Sequence, residues 1–297
     1  MQAEILAGGE VSAAILVEVA AGVQALEAST GVVPGLAVLL VGGRSEDRTW
    51  LELKSRSAAE AGMRFRGVEL PGDISIDELL GWIEGLNADP DIHGILVQLP
   101  LPEALPLDVV REAVHPMKDV DAFHPINAGR LGSATAEVLA PCTAGAVLEL
   151  LRRSGHAPEG RHVVIVAGDA PFADALLPLI LPAGDRSGTR VTVVRPGGAG
   201  VGRAARLGEI LIVAAGEPGI ITADMVRPGA VVVDTGLHRR ALSADPSTRR
   251  TLGDVDDGVR EVASAMTPVP GGIGPVIVAV LLQNTLRAAR SLSEAVE

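Results

Sequence analysis

The sequence predicts an α/β protein with two domains built on mostly parallel sheets. Three observations carry this. Short runs rich in Val, Ile and Leu alternate with amphipathic stretches, the pattern of crossover units. The apolar runs are nearly continuous, as strands buried on both faces require. A segment of Pro, Gly and polar residues from Pro116 to Cys142, with no long apolar run, divides the chain into two blocks.

In chain order, apolar residues at helical spacing predict a helix over Val11 to Ala28. Strands follow at Leu36 to Val41 and Ile92 to Val97, with helices at Arg48 to Ala61 and Ile76 to Leu86. The second block alternates a helix at Thr143 to Ser154, a strand at Val163 to Val166, a helix at Ala173 to Leu181, and strands at Val191 to Val194, Ile210 to Ala214 and Val231 to Asp234. That succession is the one expected of a Rossmann-like dinucleotide-binding domain. A last helix, Pro275 to Leu292, follows a Pro/Gly-rich segment and is expected to return to the first domain.

Composition narrows the function. The 297 residues carry 25 basic and 37 acidic side chains, a net charge of -12, and 47% of them are hydrophobic. The acidic balance argues against neutralising the phosphates of a nucleic acid or an anionic membrane, so the ligand expected is a small molecule. Cys142 is the sole cysteine, which excludes an internal disulfide and a thiolate metal cluster; no metal is expected, and a reducing, cytoplasmic setting is. The start, MQAEILAGGE, has no basic stretch ahead of an apolar one, and no uninterrupted apolar run reaches the roughly 18 to 20 residues that cross a bilayer. Tyrosine is absent, and lysine occurs only at Lys54 and Lys118.

Three segments have the makings of a site. GILVQLPLP, from Gly94 to Pro102, is a strand ended by Gln98, Leu99 and Pro100, and open sheets take ligands at the carboxyl ends of strands. KDVDAFHP, from Lys118, places Asp119 and Asp121 on one side if the chain is extended. MTPVPGGIGP, from Met266 to Pro275, has three glycines and three prolines in ten positions, a rigid turn whose backbone can approach a ligand closely.

In this order the segments resemble the bifunctional methylenetetrahydrofolate dehydrogenase/cyclohydrolase family. GLAVLLVGG, Lys54, PCTAG, AAGEPGIITADMVRPGAVVVDTG and LGDVD also fall in family order, so the resemblance covers nearly the whole chain. It implies a cytoplasmic homodimer that oxidises 5,10-methylenetetrahydrofolate with NADP or NAD and hydrolyses the methenyl product. Residues 1–125 and 275–297 would form the catalytic folate-binding domain and 140–270 the Rossmann-like one. The catalytic lysine falls on Lys54, its partner glutamine on Gln98 and the pterin-binding aspartate on Asp121. Trp50, Leu99, Pro100, Pro268, Gly271, Gly272 and Pro275 fall on the substrate side; Gly168, Asp169, Arg195 and Leu237 fall on the nucleotide side.

The chain departs from the family at four places. The family tyrosine one helical turn before the lysine is Trp50, whose indole N–H only donates, and the serine three residues earlier is Asp47. The Gly-Arg-Ser phosphate loop is replaced by Gly168-Asp169-Ala170, which puts a carboxylate where phosphate should sit. His-Ser after the next strand is Arg195-Pro196, followed by GGAGVG, read as a flexible surface loop; Arg195 offers a partner for a 2′-phosphate. PCTAG has lost one proline, and Cys142 reads as a small buried residue rather than a nucleophile. The folate half is therefore expected to retain Lys54, Gln98, Asp121 and the Pro/Gly turn, and NADP-dependent oxidation to be weakened or lost. Two alternatives stay open: one-carbon transfer from methylenetetrahydrofolate to another acceptor without NADP, and a non-catalytic folate-binding protein.

Overall fold

The computed structural model describes residues 2–43, 45–133, 139–168, 170–182, 184–198, 200–241 and 249–294. The chain divides into two compact units: residues 1–12 with 143–277, and residues 13–142 with 278–297.

The second of these is built on a three-stranded parallel sheet of β2 (Gly35–Val41), β3 (Arg64–Leu70) and β4 (Gly94–Val97), in the order β3-β2-β4. Every residue of β2 is buried, as its unbroken apolar run requires of a central strand. Strand β3, RFRGVEL, has no apolar run because it lies at the sheet edge with its charged residues exposed, so the apolar pattern missed it. Helix α1 (Gly8–Thr30) precedes the sheet and α2 (Ser45–Glu60) joins β2 to β3. Helix α3 (Ile76–Ala88) joins β3 to β4; it starts with a capping box between Ser75 and Glu78 and buries Leu79, Ile83 and Leu86 at helical spacing. Short helices α4 (Leu107–Ala113) and α5 (Pro125–Leu131) follow. The C-terminal helix α9 spans Ile273–Glu294 and packs against α1 at Gly22, where a Cβ would come within 2.5 Å of Leu286.

By length and composition α1 is the one described helix that could cross a membrane. Its buried residues Ile15, Val19, Val23 and Leu26 recur every three or four positions, the single apolar stripe of a helix packed against protein.

The first unit holds a six-stranded parallel sheet in the order β1-β11-β8-β7-β5-β6. Its strands are β1 (Glu4–Ile5), β5 (His162–Ala167), β6 (Arg190–Val194), β7 (Ile210–Ala214), β8 (Val231–Asp234) and β11 (Ala265–Met266). Helices α6 (Cys142–Arg153), α7 (Ala170–Ile180) and α8 (Val201–Ala205) and a hairpin of β9 (His238–Ala241) with β10 (Arg249–Leu252) complete the elements. Val163 to Val166 and Ile210 to Val213 are fully buried in its core. Residues 1–12 were expected with the catalytic domain; they join this unit because β1 pairs in parallel with β11, Glu4 opposite Ala265. GGAGVG is not a loop throughout: its last two residues begin α8, because Val201 is buried and Gly202 lies against Met225.

Candidate active site and nucleotide cleft

Helix α2 carries Trp50 and Lys54 four residues apart, hence on one face. Trp50 is half-buried. Lys54 is only 6% exposed, unlike a solvated helix lysine, and its Nζ donates to Oε1 of Gln98. Gln98 stands just past β4. Its backbone N–H donates to Leu39 O at 2.8 Å, and its side-chain Nε2 donates to Leu99 O at 2.9 Å, which leaves the amide oxygen facing the lysine. Burial holds the Lys54 ammonium below the ordinary lysine range, with Asp121, Cys142 and Asp47 opposing that shift. Leu99 and Pro100, joined by a cis peptide, continue the chain beyond Gln98.

Residues 118–124 pair with β4 through Lys118 O, which accepts from Ile95 N at 2.7 Å. They do not run extended. Ala122 N donates to Asp119 O at 3.2 Å, closing a turn over residues 119–122, and Ala122 has a φ of 56°. Asp119 is buried and structural: its Oδ2 accepts from His124 N at 2.7 Å and from Asn127 Nδ2 at 3.0 Å. Asp121 accepts from Cys142 N at 3.2 Å. Its carboxyl is pushed up to about 6, chiefly by burial and further by Asp119, while hydrogen bonding to Cys142 and the charge of Lys54 hold it down. Cys142 is buried and its thiol is pushed well up by burial and by Asp121, so it stays protonated, in keeping with a packing role.

The second lysine has a different job. Lys118 Nζ donates to Leu86 O at 3.2 Å and to Asn87 O and Asp89 O at 2.8 Å each, satisfying carbonyls at the C-terminus of α3.

In the other unit, the order β6-β5-β7-β8 reverses direction between β5 and β7, the switch point at which open parallel sheets bind ligands beyond their carboxyl ends. Gly168 follows β5 there. Its N–H donates to Ala214 O at 2.9 Å, and a Cβ on it would lie 2.5 Å from Ala215 O, so only glycine fits. Asp169 lies outside the described residues. Arg195 follows β6, and its guanidinium donates to Gly168 O at 3.3 Å. Leu237, past β8, is exposed.

Two buried aspartates that the sequence patterns did not single out shape this end of the sheet. Asp254 Oδ2 accepts from Ala215 N at 2.7 Å and Gly216 N at 3.1 Å, and its Oδ1 meets His238 Nε2 at 2.6 Å. Asp234 accepts from the backbone N–H groups of Gly236, Asp254 and Val255 at 2.8 to 3.0 Å; burial nevertheless pushes it up to about 6. They stand in VVVDTG, at the end of β8, and in LGDVD, where the burial that turns an aspartate into a backbone clamp leaves no periodic signal.

The Pro/Gly segment belongs to this unit too. Gly271 has a φ of 101°, and Gly272 sits so close to Gly8 that a Cβ on Gly8 would meet its carbonyl oxygen at 1.7 Å. Pro275 O accepts from Ser12 Oγ at 3.0 Å, and Pro268 is half-buried. Among the described residues no cluster of His, Cys, Asp and Glu is arranged to hold a metal ion.

Lys54, Gln98, Asp121 and Cys142 thus converge within one unit, and Gly168 and Arg195 meet within the other. Residues 6–121 match the family description "Tetrahydrofolate dehydrogenase/cyclohydrolase, catalytic domain", and residues 141–293 match its NAD(P)-binding domain. The chain is 44% identical to the bifunctional protein FolD 1 of Myxococcus xanthus over 97% of its own length and 98% of that protein's. Among solved structures, it is similar to the methylenetetrahydrofolate dehydrogenase-cyclohydrolase of Trypanosoma brucei, complexed with NADP cofactor and inhibitor. The TM-score is 0.89 and the identity 34%, covering 98% of this chain and 99% of that one. The bifunctional enzyme of Campylobacter jejuni gives a TM-score of 0.85 at 36% identity, covering 97% and 99%.

Proposed function

The chain belongs to the tetrahydrofolate dehydrogenase/cyclohydrolase family, and we propose from that premise that it oxidises 5,10-methylenetetrahydrofolate and hydrolyses the resulting methenyl compound. The observation that carries this reading is the buried Lys54 held by Gln98 in the same unit as Asp121.

Each of these residues has a physical task. Asp121 offers two oxygens to the planar N–H edge of a pterin, and as a carboxylate it accepts charge-assisted hydrogen bonds. Lys54, its ammonium destabilised by burial, is able to be neutral and take a proton at Nζ. In the hydrolytic step the water oxygen bonds to the methenyl carbon and the water proton passes to Lys54. The bond from that carbon to N5 of the folate then breaks as the new hydroxyl gives its proton to solvent water and becomes the formyl C=O; the electron pair released on N5 takes back the proton held by Lys54, and 10-formyltetrahydrofolate remains with one proton left in solution. Gln98, its amide fixed by Leu99 O, keeps Nζ in place. Trp50 supplies an aromatic face on the same side of α2, and no acid.

The residues at the β5–β7 switch point fit a dinucleotide: Gly168 lets the chain after β5 close on the Ala215 carbonyl at the switch point, and Arg195 faces the first loop from the end of the second strand. A nicotinamide dinucleotide, when bound, accepts the hydride from the methylene carbon. With no acidic residue after β6 to take a ribose 2′-hydroxyl, and a guanidinium there instead, NADP is the proposed partner over NAD. The lost Gly-Arg-Ser loop leaves backbone groups to do the rest of the phosphate binding. Arg195→Ala is expected to weaken NADP binding about tenfold and leave NAD binding within about twofold, the difference of one charge-assisted contact; titration calorimetry with each nucleotide decides it. Equal losses for both would remove the specificity role.

The reading as a whole is tested by following methenyl formation from 5,10-methylenetetrahydrofolate with NADP, and methenyl decay without it. Neither activity above background would refute it. Hydrolysis without oxidation would revive the expectation that the nucleotide half has been repurposed.

The proposed assembly is a homodimer. It is supported by β3, whose outer edge is unpaired among the described strands, and by a groove of about 800 Å³ beside it that includes the 40% exposed Trp82. Sedimentation at twice the 30.4 kDa chain mass is the expected result. The cytoplasm is the proposed location, supported by a single buried free thiol; cell fractionation tests it.

A further inference from the structure

Asn284, on α9, has no accessible surface and is far in sequence from Lys54, Gln98 and Asp121. Its Nδ2 spends both hydrogens on backbone carbonyls of two other segments, Val120 O and Ala140 O, each at 2.8 Å. Among the described residues its Oδ1 has no partner. Reversing the amide would set Oδ1 against two carbonyl oxygens, so hydrogen-bond chemistry assigns this orientation. A buried acceptor left unpaired costs stability. An apolar side chain of similar size would avoid that cost, so what the asparagine contributes lies in the two bonds it makes.

Those bonds join the two stretches of chain that meet at Asp121. Val120 immediately precedes the aspartate, and Ala140 lies two residues before Cys142, whose N–H donates to Asp121 Oδ1 at 3.2 Å. Pro141, between Ala140 and Cys142, has no N–H with which to anchor the stretch. A second tie to Val120 O is the Cys142 thiol at 3.4 Å, a weak donor. On the opposite side there is no slack: a Cβ on Gly94 would meet Val120 Cγ1 at 2.8 Å and Thr285 Oγ1 at 3.0 Å, so β4, the aspartate turn and α9 are in close contact. Ala122, one residue past Asp121, is held at a φ of 56°, a conformation that an L residue keeps only when its surroundings impose it.

We infer that Asn284 is a positioning residue for the folate site: by clamping Val120 and Ala140 together it holds Asp121 against the Cys142 N–H and sets the direction in which the carboxylate meets the pterin. The inference rests on the proposed pterin-binding role of Asp121. Asn284 itself touches no substrate and takes no part in proton transfer.

The test uses the full-length protein with Asn284→Leu, which removes both donors and the orphaned acceptor, and Asn284→Ser, which restores one donor. Four quantities are read: the KM for 5,10-methylenetetrahydrofolate, kcat, the calorimetric Kd for NADP in the absence of folate, and the thermal midpoint. Asn284→Leu is expected to raise the folate KM at least tenfold, with kcat falling less than threefold and the NADP Kd unchanged. Asn284→Ser is expected to lie between it and the parent. An unchanged folate KM in either folded variant overturns the inference. So does a parallel loss of NADP affinity and thermal midpoint, which would make Asn284 a stability element and nothing more. If Asn284→Leu does not fold, the Ser variant alone decides, since the one donor it keeps must still leave the folate KM measurably raised. A parent protein that neither binds nor turns over folate would sink the functional reading instead, which keeps the two failures apart.

Discussion

Lys54→Met is expected to lower the cyclohydrolase kcat by about 10²- to 10⁴-fold, the usual contribution of a positioned acid-base group. Oxidation should fall much less, because hydride transfer from the methylene carbon moves no proton through Nζ. The side chains are similar in length, so the helix keeps its packing and the loss reports on the amine. The pH profile carries a second signature. Burial lowers the Lys54 pKa, so the neutral amine is available at lower pH than on a solvated lysine, and hydrolysis should decline as acid protonates it. The linkage runs the other way for stability. A lysine whose folded pKa is lowered binds its proton less well folded than unfolded, which costs stability at every pH below the unfolded value of 10.5. Lys54→Met should therefore leave the thermal midpoint at neutral pH unchanged or raise it while hydrolysis is lost. Retention of parental hydrolysis would remove Lys54 from the mechanism.

Asp121→Asn is expected to raise the KM for methylenetetrahydrofolate by about 100-fold, from the loss of charge on an acceptor of two hydrogen bonds that are worth roughly 1.5 to 3 kcal/mol each when charged. In the parent, folate affinity should fall as pH drops through about 6, where the carboxylate takes up its proton; in the variant that dependence should disappear. Asp121 also bears on stability. Its pKa is raised on folding, so the stability of the protonated form is fully present below the unfolded value of 3.8 and is lost as pH rises through about 6. Above that window the ionised group strains the fold, and the neutral amide should make the ligand-free protein melt no lower than the parent, and higher if the site tolerates its N–H₂. A parental KM in Asp121→Asn would mean that another acceptor holds the pterin edge.

Much of the candidate site was legible because its residues stand in short, ordered segments. Lys54, Gln98 and Asp121 each sit in a stretch whose spacing and flanking residues match the family, and all three lie in one unit with a hydrogen bond or an electrostatic link between them. The scarcity of lysine drew attention to Lys54 and Lys118 alike, but rarity could not separate them. One is buried against Gln98, the other caps the carbonyl end of α3, and that distinction exists only once residues 86–89 are folded beside residue 118. Asp119 and Asp121 are a similar case. Two residues apart, they are expected on one side of an extended chain; the turn closed by Ala122 N on Asp119 O breaks that extension, and the partners differ, with Asp119 accepting from His124 N and Asn127 and Asp121 from Cys142 N.

The sequence alone determined the α/β class, the alternation of elements and the buried strands, because a strand hidden on both faces must be apolar along its whole length and that requirement is local. It could not reveal β3, whose exposed edge position removes the requirement, nor the pairing of β1 with β11, which depends on where the far end of the chain arrives. Tertiary structure alone decided the roles of Asp234, Asp254 and Asn284. A polar side chain in a loop or on a helix has no periodic signature, and what it does is set by the backbone groups that folding brings within about 3 Å of it, from segments far away along the chain.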